Sequence, residues 1–249
     1  MAPTDREIES IFWRVHQGLP REAPGSAETT ALLVRMAGEL PSDPTVFDVG
    51  CGTGPATILL AELTGGRVTA VDVHEPYLAE VSRRAAEAGV GDRVSVMRES
   101  MDALPVPNGS IDLLWAEGSA YVLGFDAALA AWRPLLSDTG VLVLTEAEFI
   151  TPDPGEEAAA FWSAGYPAMR STAQNVAAAQ KRGWEVRAVY VLPDSDWDNY
   201  YAPLRARIAE LEREGVDPEV LAMAGAEIGV RERCGGDYAY TGYVLRPRS

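Results

Sequence analysis

Along the first 150 residues, short apolar runs alternate with longer stretches whose apolar positions recur every three or four residues. The runs at 45–49, 67–72, 93–97, 110–116 and 140–146 read as strands, and the stretches at 55–64, 75–88 and 126–136 as helices between them. Such alternation predicts a parallel sheet with helices on both faces. Upstream, residues 5–17 place Ile8, Ile11, Phe12 and Val15 on one face of a short helix, and 18–25 is irregular. Ser26 then caps a second helix through Leu40, with Glu28 in its first turn. Beyond 150 the rhythm changes to a Pro- and Glu-rich loop, 151–157, and an aromatic segment, 161–166. A helix at 172–182, a strand at 184–192, helices near 197–213 and 218–233, and a closing strand at 238–246 complete the chain.

The first strand runs straight into three alternating glycines, Gly50, Gly52 and Gly54, and Asp72 closes the second strand 24 positions after Asp48. The glycines remove the Cβ atoms that would keep a ligand from the backbone turn, and Pro55 suits the first turn of the following helix. A carboxylate at the end of the second strand is placed to accept hydrogen bonds from both hydroxyls of a ribose. Dinucleotide enzymes use G-x-G-x-x-G, whose pyrophosphate rests on a helix N-terminus, whereas the spacing here is G-x-G-x-G. Asp48, two residues before the first glycine, repels phosphate but suits an ammonium group. The pattern therefore favours S-adenosylmethionine over NAD.

On Asp48, Gly50, Cys51, Gly52 and Gly54 the chain resembles the class I S-adenosylmethionine-dependent methyltransferases, whose first motif these residues match. More narrowly it is similar to bacterial small-molecule methyltransferases related to the ubiquinone/menaquinone C-methyltransferase group. That likeness rests on Gln17-Gly18, Pro24-Gly25-Ser26, residues 100–105, residues 115–118, Phe161-Trp162, Tyr166-Pro167 and Trp197. The resemblance implies a Rossmann-like, doubly wound, seven-stranded sheet, mostly parallel with an antiparallel last strand beside strand five. It implies a single methyltransferase domain over 1–249: an N-terminal helical lid (1–40), a cofactor-binding core (41–150) and an acceptor-side lid that completes the sheet (151–249). The cofactor would be S-adenosylmethionine, leaving as S-adenosylhomocysteine. Its contacts would come from Gln17, Gly18, Asp48, Gly50, Cys51, Gly52, Asp72, Val73, His74, Ser100, Met101, Asp102 and Glu117. The stretch 19–23, between Gly18 and Pro24, departs from the family's pattern at the N-terminal lid.

Several of these assignments keep alternatives at the level of sequence. Asp72 also suits a cap of the next helix. The adenine amine is shared between Ser100 and Asp102, with Asp102 preferred, and Met101 serves equally as packing on the ring or as core filler. Ligands in open α/β sheets bind outside the carboxyl ends of the strands, so Glu117 and Tyr121, after strand four, are the catalytic candidates. Glu117 would act as general base or hold an acceptor group in register; its alternative is a loop cap. Trp162, Tyr166, Trp197, Tyr200 and Tyr201 would line an acceptor pocket, where aromatic faces attract cations and flat ligands. Residues 5–25, 155–170 and 195–202 are expected to order over the site when it is filled.

The formal charge of −16 disfavours nucleic acid and anionic membranes, which need clustered Lys and Arg, and Lys181 is the single lysine among the 249 residues. No apolar stretch approaches a membrane span, and the acidic N-terminus does not read as a secretory signal, so a cytoplasmic protein with a small-molecule acceptor is expected. Cys51 and Cys234 make no disulfide framework, and no Cys/His or Asp-Asp-Asn set suggests zinc or magnesium, so no metal is expected. A homodimer is left open. Two other functions share the layout: an NAD(P)-linked oxidoreductase, and a non-catalytic regulator that binds S-adenosylmethionine.

Overall fold

The computed structural model describes residues 5–248, with side chains from Ile11 onward, so the Ile8 side chain lies outside the described residues. Its sheet has seven strands in the order β3-β2-β1-β4-β5-β7-β6. These are β1 (Thr45–Val49), β2 (Arg67–Asp72), β3 (Val94–Arg98), β4 (Ile111–Ala116), β5 (Leu136–Phe149), β6 (Trp184–Val191) and β7 (Tyr238–Pro247). The first five pair in parallel, and β7 runs antiparallel between β5 and β6. The strand order reverses between β1 and β4, the switch point at which open α/β sheets bind ligands.

The helices are α1 (Asp5–His16), α2 (Ala27–Ala37), α3 (Pro55–Thr64), α4 (Glu75–Glu87), α5 (Phe125–Trp132), α6 (Glu156–Gly165), α7 (Thr172–Lys181), α8 (Asp194–Arg213), α9 (Pro218–Ala224) and α10 (Ala226–Cys234). Most ends fall where local chemistry predicts. The Ser26 hydroxyl accepts from the Thr29 amide at the start of α2, and Ser171 and Gln174 form a reciprocal cap on α7. Three expectations need correction, and one segment without an assigned element gains one. Helix α2 stops at Ala37, short of Leu40, because Gly38 leaves the helical region with φ 83°. Helix α5 ends at Trp132 and tightens into a single turn over Arg133–Leu135, which contains Pro134, so β5 starts earlier than expected. The aromatic segment after residue 155 coils into α6. The helix expected over 218–233 is broken at Gly225 into α9 and α10.

Apolar side chains gather in three main bodies. One face of the sheet packs Phe47, Leu114, Leu142 and Tyr243 with Phe125 and Trp132 of α5. The other packs Val46, Val68, Trp115 and Val143 with Leu33 of α2 and Leu60 of α3. A third body lies beyond the carboxyl ends of the strands, where α1, α6 and α8–α10 meet the start of β7. Ile11, Val15 and Leu19 are buried in it beside Trp162, Trp197, Tyr201 and Tyr238. The segments 5–25, 155–170 and 195–202, expected to order over a filled site, contribute described residues to this third body. Among the described residues no helix is long and apolar enough to cross a membrane.

Candidate active site

The turn after β1 is built from the backbone. The Gly50 and Cys51 amides both donate to the Val71 carbonyl, at 2.8 and 3.0 Å, which ties the turn to β2. Gly50 has φ 70°, and a Cβ on it would lie 2.4 Å from Cβ of Ser119, whose hydroxyl donates to the Val49 carbonyl. Only glycine fits there. Asp72 binds the turn from the other side, accepting from the Gly52 amide at 3.0 Å and from the His74 amide at 2.8 Å. One donor on each carboxylate oxygen fixes its direction and leaves lone pairs for a diol.

Asp48 is buried beneath the turn and accepts from the Thr57 hydroxyl at 2.5 Å. Burial pushes its pKa up to about 7, with Glu117 and Asp72 adding to the rise and Thr57 opposing it. Cys51 is buried too, and its thiol is pushed well up for the same reason. Around this centre Asp48, Gly50, Cys51, Gly52, Glu117 and Gly118 line a small pocket closed by Arg21 and Glu22. A glycine turn with no side chain in the way, a buried acid beneath it and the Asp72 carboxylate beside it form a set that fits an aminoacyl nucleoside.

The nucleoside side is more open. Val73, Ser100 and Asp102 are exposed at the rim, and Met101 reaches within 3.1 Å of where a Gly50 Cβ would stand. The Met101 carbonyl accepts from the Trp132 indole at 2.8 Å, which pins this loop to α5. The His74 ring lies flat on Trp13, with centroids 3.8 Å apart. Gln17 and Gly18 are exposed and line neither this pocket nor the cavity beside it. The chain turns after α1, and residues 21–24 supply the wall instead.

Glu117 also departs from expectation. One oxygen accepts from Arg21 at 3.1 Å; the other accepts from the Thr30 hydroxyl at 3.1 Å and the Trp115 indole at 3.3 Å. With three donors on it and no place in the acceptor-side cavity, Glu117 is engaged as the partner of Arg21 rather than as a free base. Arg21 comes from the very stretch that departs from the family's pattern.

That neighbouring cavity holds about 350 Å³. Ile11, Phe161, Val220 and Met223 give it apolar walls; His16, Glu22, Tyr121, Tyr200, Glu227 and Tyr240 give it polar ones. The His16 ring donates from Nδ1 to the Phe12 carbonyl at 2.8 Å, so Nε2 accepts from the Tyr200 hydroxyl at 3.0 Å. Burial lowers the His16 pKa, opposed by the hydrogen bond to the Phe12 carbonyl. Glu22, at the border with the glycine-turn pocket, is pushed up to about 8 by burial. Glu227 accepts from the Tyr201 hydroxyl at 2.7 Å, and burial raises its pKa as well.

Of the five aromatic residues expected to hold the acceptor, Tyr200 faces the cavity. Trp162, Trp197 and Tyr201 are buried in the third core, where Trp162 and Trp197 pack edge-on against Tyr238. Phe161, one residue before Trp162, faces the cavity in its place because α6 turns successive side chains by about 100°. Tyr166 sits behind Tyr121, with ring centroids 6.0 Å apart. Glu22, Glu227 and Tyr240 carry no motif, and sequence reasoning did not place them in the site. Among the described residues no cluster of three or more His, Cys, Asp or Glu is arranged to hold a metal ion.

Residues 46–140 match the methyltransferase domain family. The chain is 30% identical over 131 residues to ribosomal protein arginine N-methyltransferase rmt3 of Schizosaccharomyces pombe, covering 49% of this chain and 24% of that one. It is 36% identical over 90 residues to 27-O-demethylrifamycin SV methyltransferase of Amycolatopsis mediterranei, covering 35% and 33%. The chain thus spans only about a quarter to a third of the length of these curated relatives. A methyltransferase of Geobacter sulfurreducens, solved with S-adenosylhomocysteine, superposes with a TM-score of 0.84 over 100% of both chains at 21% identity. Residues 46–140 thus match a methyltransferase domain, and the chain as a whole shares the fold of S-adenosylmethionine-dependent methyltransferases. The relatives differ in acceptor, so the likeness defines the cofactor end of the molecule more sharply than the other end.

Proposed function

We propose that this protein methylates a small molecule with S-adenosylmethionine as donor. The observation that carries the reading is the shared wall: Glu22, Ala23 and Gly118 line both the glycine-turn pocket and the 350 Å³ cavity. A donor held on one side of that wall is adjacent to an acceptor held on the other, and proximity supplies much of the rate of an in-line transfer. When bound, the cofactor supplies a methyl group on a sulfonium.

The chain's own residues bind and align. Asp72 is assigned to the ribose hydroxyls, Asp48 to the amino group, and Arg21, held by Glu117, to the carboxylate of the aminoacyl end. Gly50, Cys51 and Gly52 offer backbone, and Val73, His74, Ser100, Met101 and Asp102 border the adenine. Tyr121, Tyr200 and Tyr240 bound the acceptor, and His16, Glu22 and Glu227 are the cavity groups able to take a proton. We treat the chain as a single methyltransferase domain in which 1–40 and 151–249 frame the acceptor side. The cavity's size and the net charge of −16 favour a small molecule over nucleic acid.

Calorimetry should show S-adenosylhomocysteine binding in the micromolar range, weakened about a hundredfold or more in Asp72→Ala through two lost charge-assisted hydrogen bonds. Absence of binding by the intact chain overturns the reading, and quenching by NADH in its place would favour an oxidoreductase. Incubation with methyl-labelled cofactor and a metabolite extract separates an enzyme from a binding regulator: label in a small product excludes the regulator.

A further inference from the structure

The acceptor cavity has a one-sided electrostatic character. Among its described lining residues the acidic side chains are Glu22 and Glu227; no Lys or Arg lines it, and burial lowers the pKa of His16. Aromatic rings surround these acids: Phe12, Tyr121, Phe161, Tyr200 and Tyr240. The faces of such rings are electron-rich and attract cations, more strongly where water is excluded. An anionic acceptor would meet no compensating positive side chain here.

Glu227 is the focus of this character. It stands in the first turn of α10 and is fixed by the Tyr201 hydroxyl of α8. The nearby Arg231 is turned away from the cavity, donating to the Gly235 and Tyr238 carbonyls and to Asp194. Among the described residues only Tyr201 donates to Glu227 and no cation pairs with it directly, while the Arg231 charge favours its ionised form from a distance. A half-buried acid facing a cleft in this way is a candidate binding group.

We infer that the acceptor of this cavity is an amine that enters as a cation, with its nitrogen on the Glu227 carboxylate and its carbon frame against the aromatic walls. The inference rests on the methyltransferase reading for its outcome but on the cavity alone for its recognition. The ammonium transfers one N–H proton to the Glu227 carboxylate, and the nitrogen keeps the electron pair it needs as a nucleophile. Charge is conserved: a cation and a carboxylate become a neutral amine and a carboxylic acid.

The test uses the full chain and three probes of one shape: phenethylamine, phenethyl alcohol and hydrocinnamate. Their affinities are measured by calorimetry, with and without saturating S-adenosylhomocysteine. The amine should bind about tenfold or more tighter than the alcohol, as expected for a charge-assisted contact, and hydrocinnamate weakest of all. Glu227→Gln should bring amine and alcohol to near parity while leaving S-adenosylhomocysteine binding unchanged. If that variant does not fold, the ranking of the three probes on the unaltered chain decides by itself. Equal or tighter binding of the alcohol or the carboxylate, or no measurable binding of the amine, overturns the inference. Failure of S-adenosylhomocysteine to bind, with the amine preference intact, would instead remove the methyltransferase reading and leave the cavity's selectivity standing.

Discussion

Replacing Asp48 with Asn should make the free protein more stable near neutral to alkaline pH while making it a poorer binder of S-adenosylhomocysteine. Asp48 is buried, and burial with the nearby Glu117 and Asp72 lifts its pKa from 3.8 to about 7. The folded chain therefore holds this proton more tightly than the unfolded chain does. Its contribution to stability is most favourable below about pH 4 and is lost as pH rises from there through about 7. The difference between 3.8 and about 7 corresponds to an upper limit of about 4 kcal/mol at about pH 8. Asn keeps an oxygen for the Thr57 hydroxyl and carries no charge, so the variant should regain about 2–4 kcal/mol, or on the order of 5–10 °C in unfolding midpoint. It also removes the carboxylate assigned to the ligand's ammonium, at a cost of about 1.5–3 kcal/mol, or roughly ten- to hundredfold in affinity. Thermal unfolding of both proteins near pH 5 and near pH 8, with calorimetry at the higher pH, reads both effects. Near pH 5 Asp48 is already protonated, so the stability gap should shrink. A variant less stable than the parent near pH 8, or a gap indifferent to pH, refutes the electrostatic argument; unchanged affinity refutes the assignment to the ammonium.

The neighbouring pair in α6 separates binding from packing. Phe161→Ala should weaken acceptor-site ligands with little loss of stability, whereas Trp162→Ala should cost about 3–5 kcal/mol in denaturant unfolding, because Trp162 packs against Tyr238. Deleting residues 1–20 should lower stability as well as turnover: it strips Ile11, Val15 and Leu19 from the third core, each worth about 1.5–3 kcal/mol. A truncated protein with an unchanged melting temperature would show that this packing is dispensable. Gly50→Ala should lose about 2 kcal/mol or more, from left-handed strain and from displacement of the Ser119 hydroxyl off the Val49 carbonyl. Measured stability equal to the parent's would contradict the contact.

The cofactor half of the molecule was legible in the sequence because its geometry is local. Gly50, Gly52 and Asp72 lie within a single strand–turn–helix–strand unit, where spacing in the chain fixes spacing in space. The acceptor half is assembled from α1, the 21–24 loop, α6, α8, α9, α10 and β7, and no spacing rule joins His16 to Tyr200 or Glu227 to either. Aromatic content pointed to the segments around the cavity, but of the five aromatic residues singled out only Tyr200 lines it. Whether Phe161 or Trp162 faces the cavity depends on the phase of α6, a helix whose period the apolar pattern of this segment does not define. Glu117 was placed correctly after β4, yet its role turned on Arg21, whose burial beside a proline-flanked turn no pattern foretold.

The position of β7 bears on how the chain reaches its native state. Strand β5 is an interior strand only once Tyr238–Pro247 has docked beside it, a pairing that joins Leu142 to Leu245 across about a hundred residues. Until then the growing polypeptide presents a long apolar edge, and β6 has no neighbour in the sheet except the strand still to be made. Long-range pairing of this kind is slow, and an unpaired edge is a template for association with other chains. Nascent-chain yield should therefore depend more steeply on chaperones, temperature and C-terminal fusions than the thermodynamic stability of the finished protein would suggest.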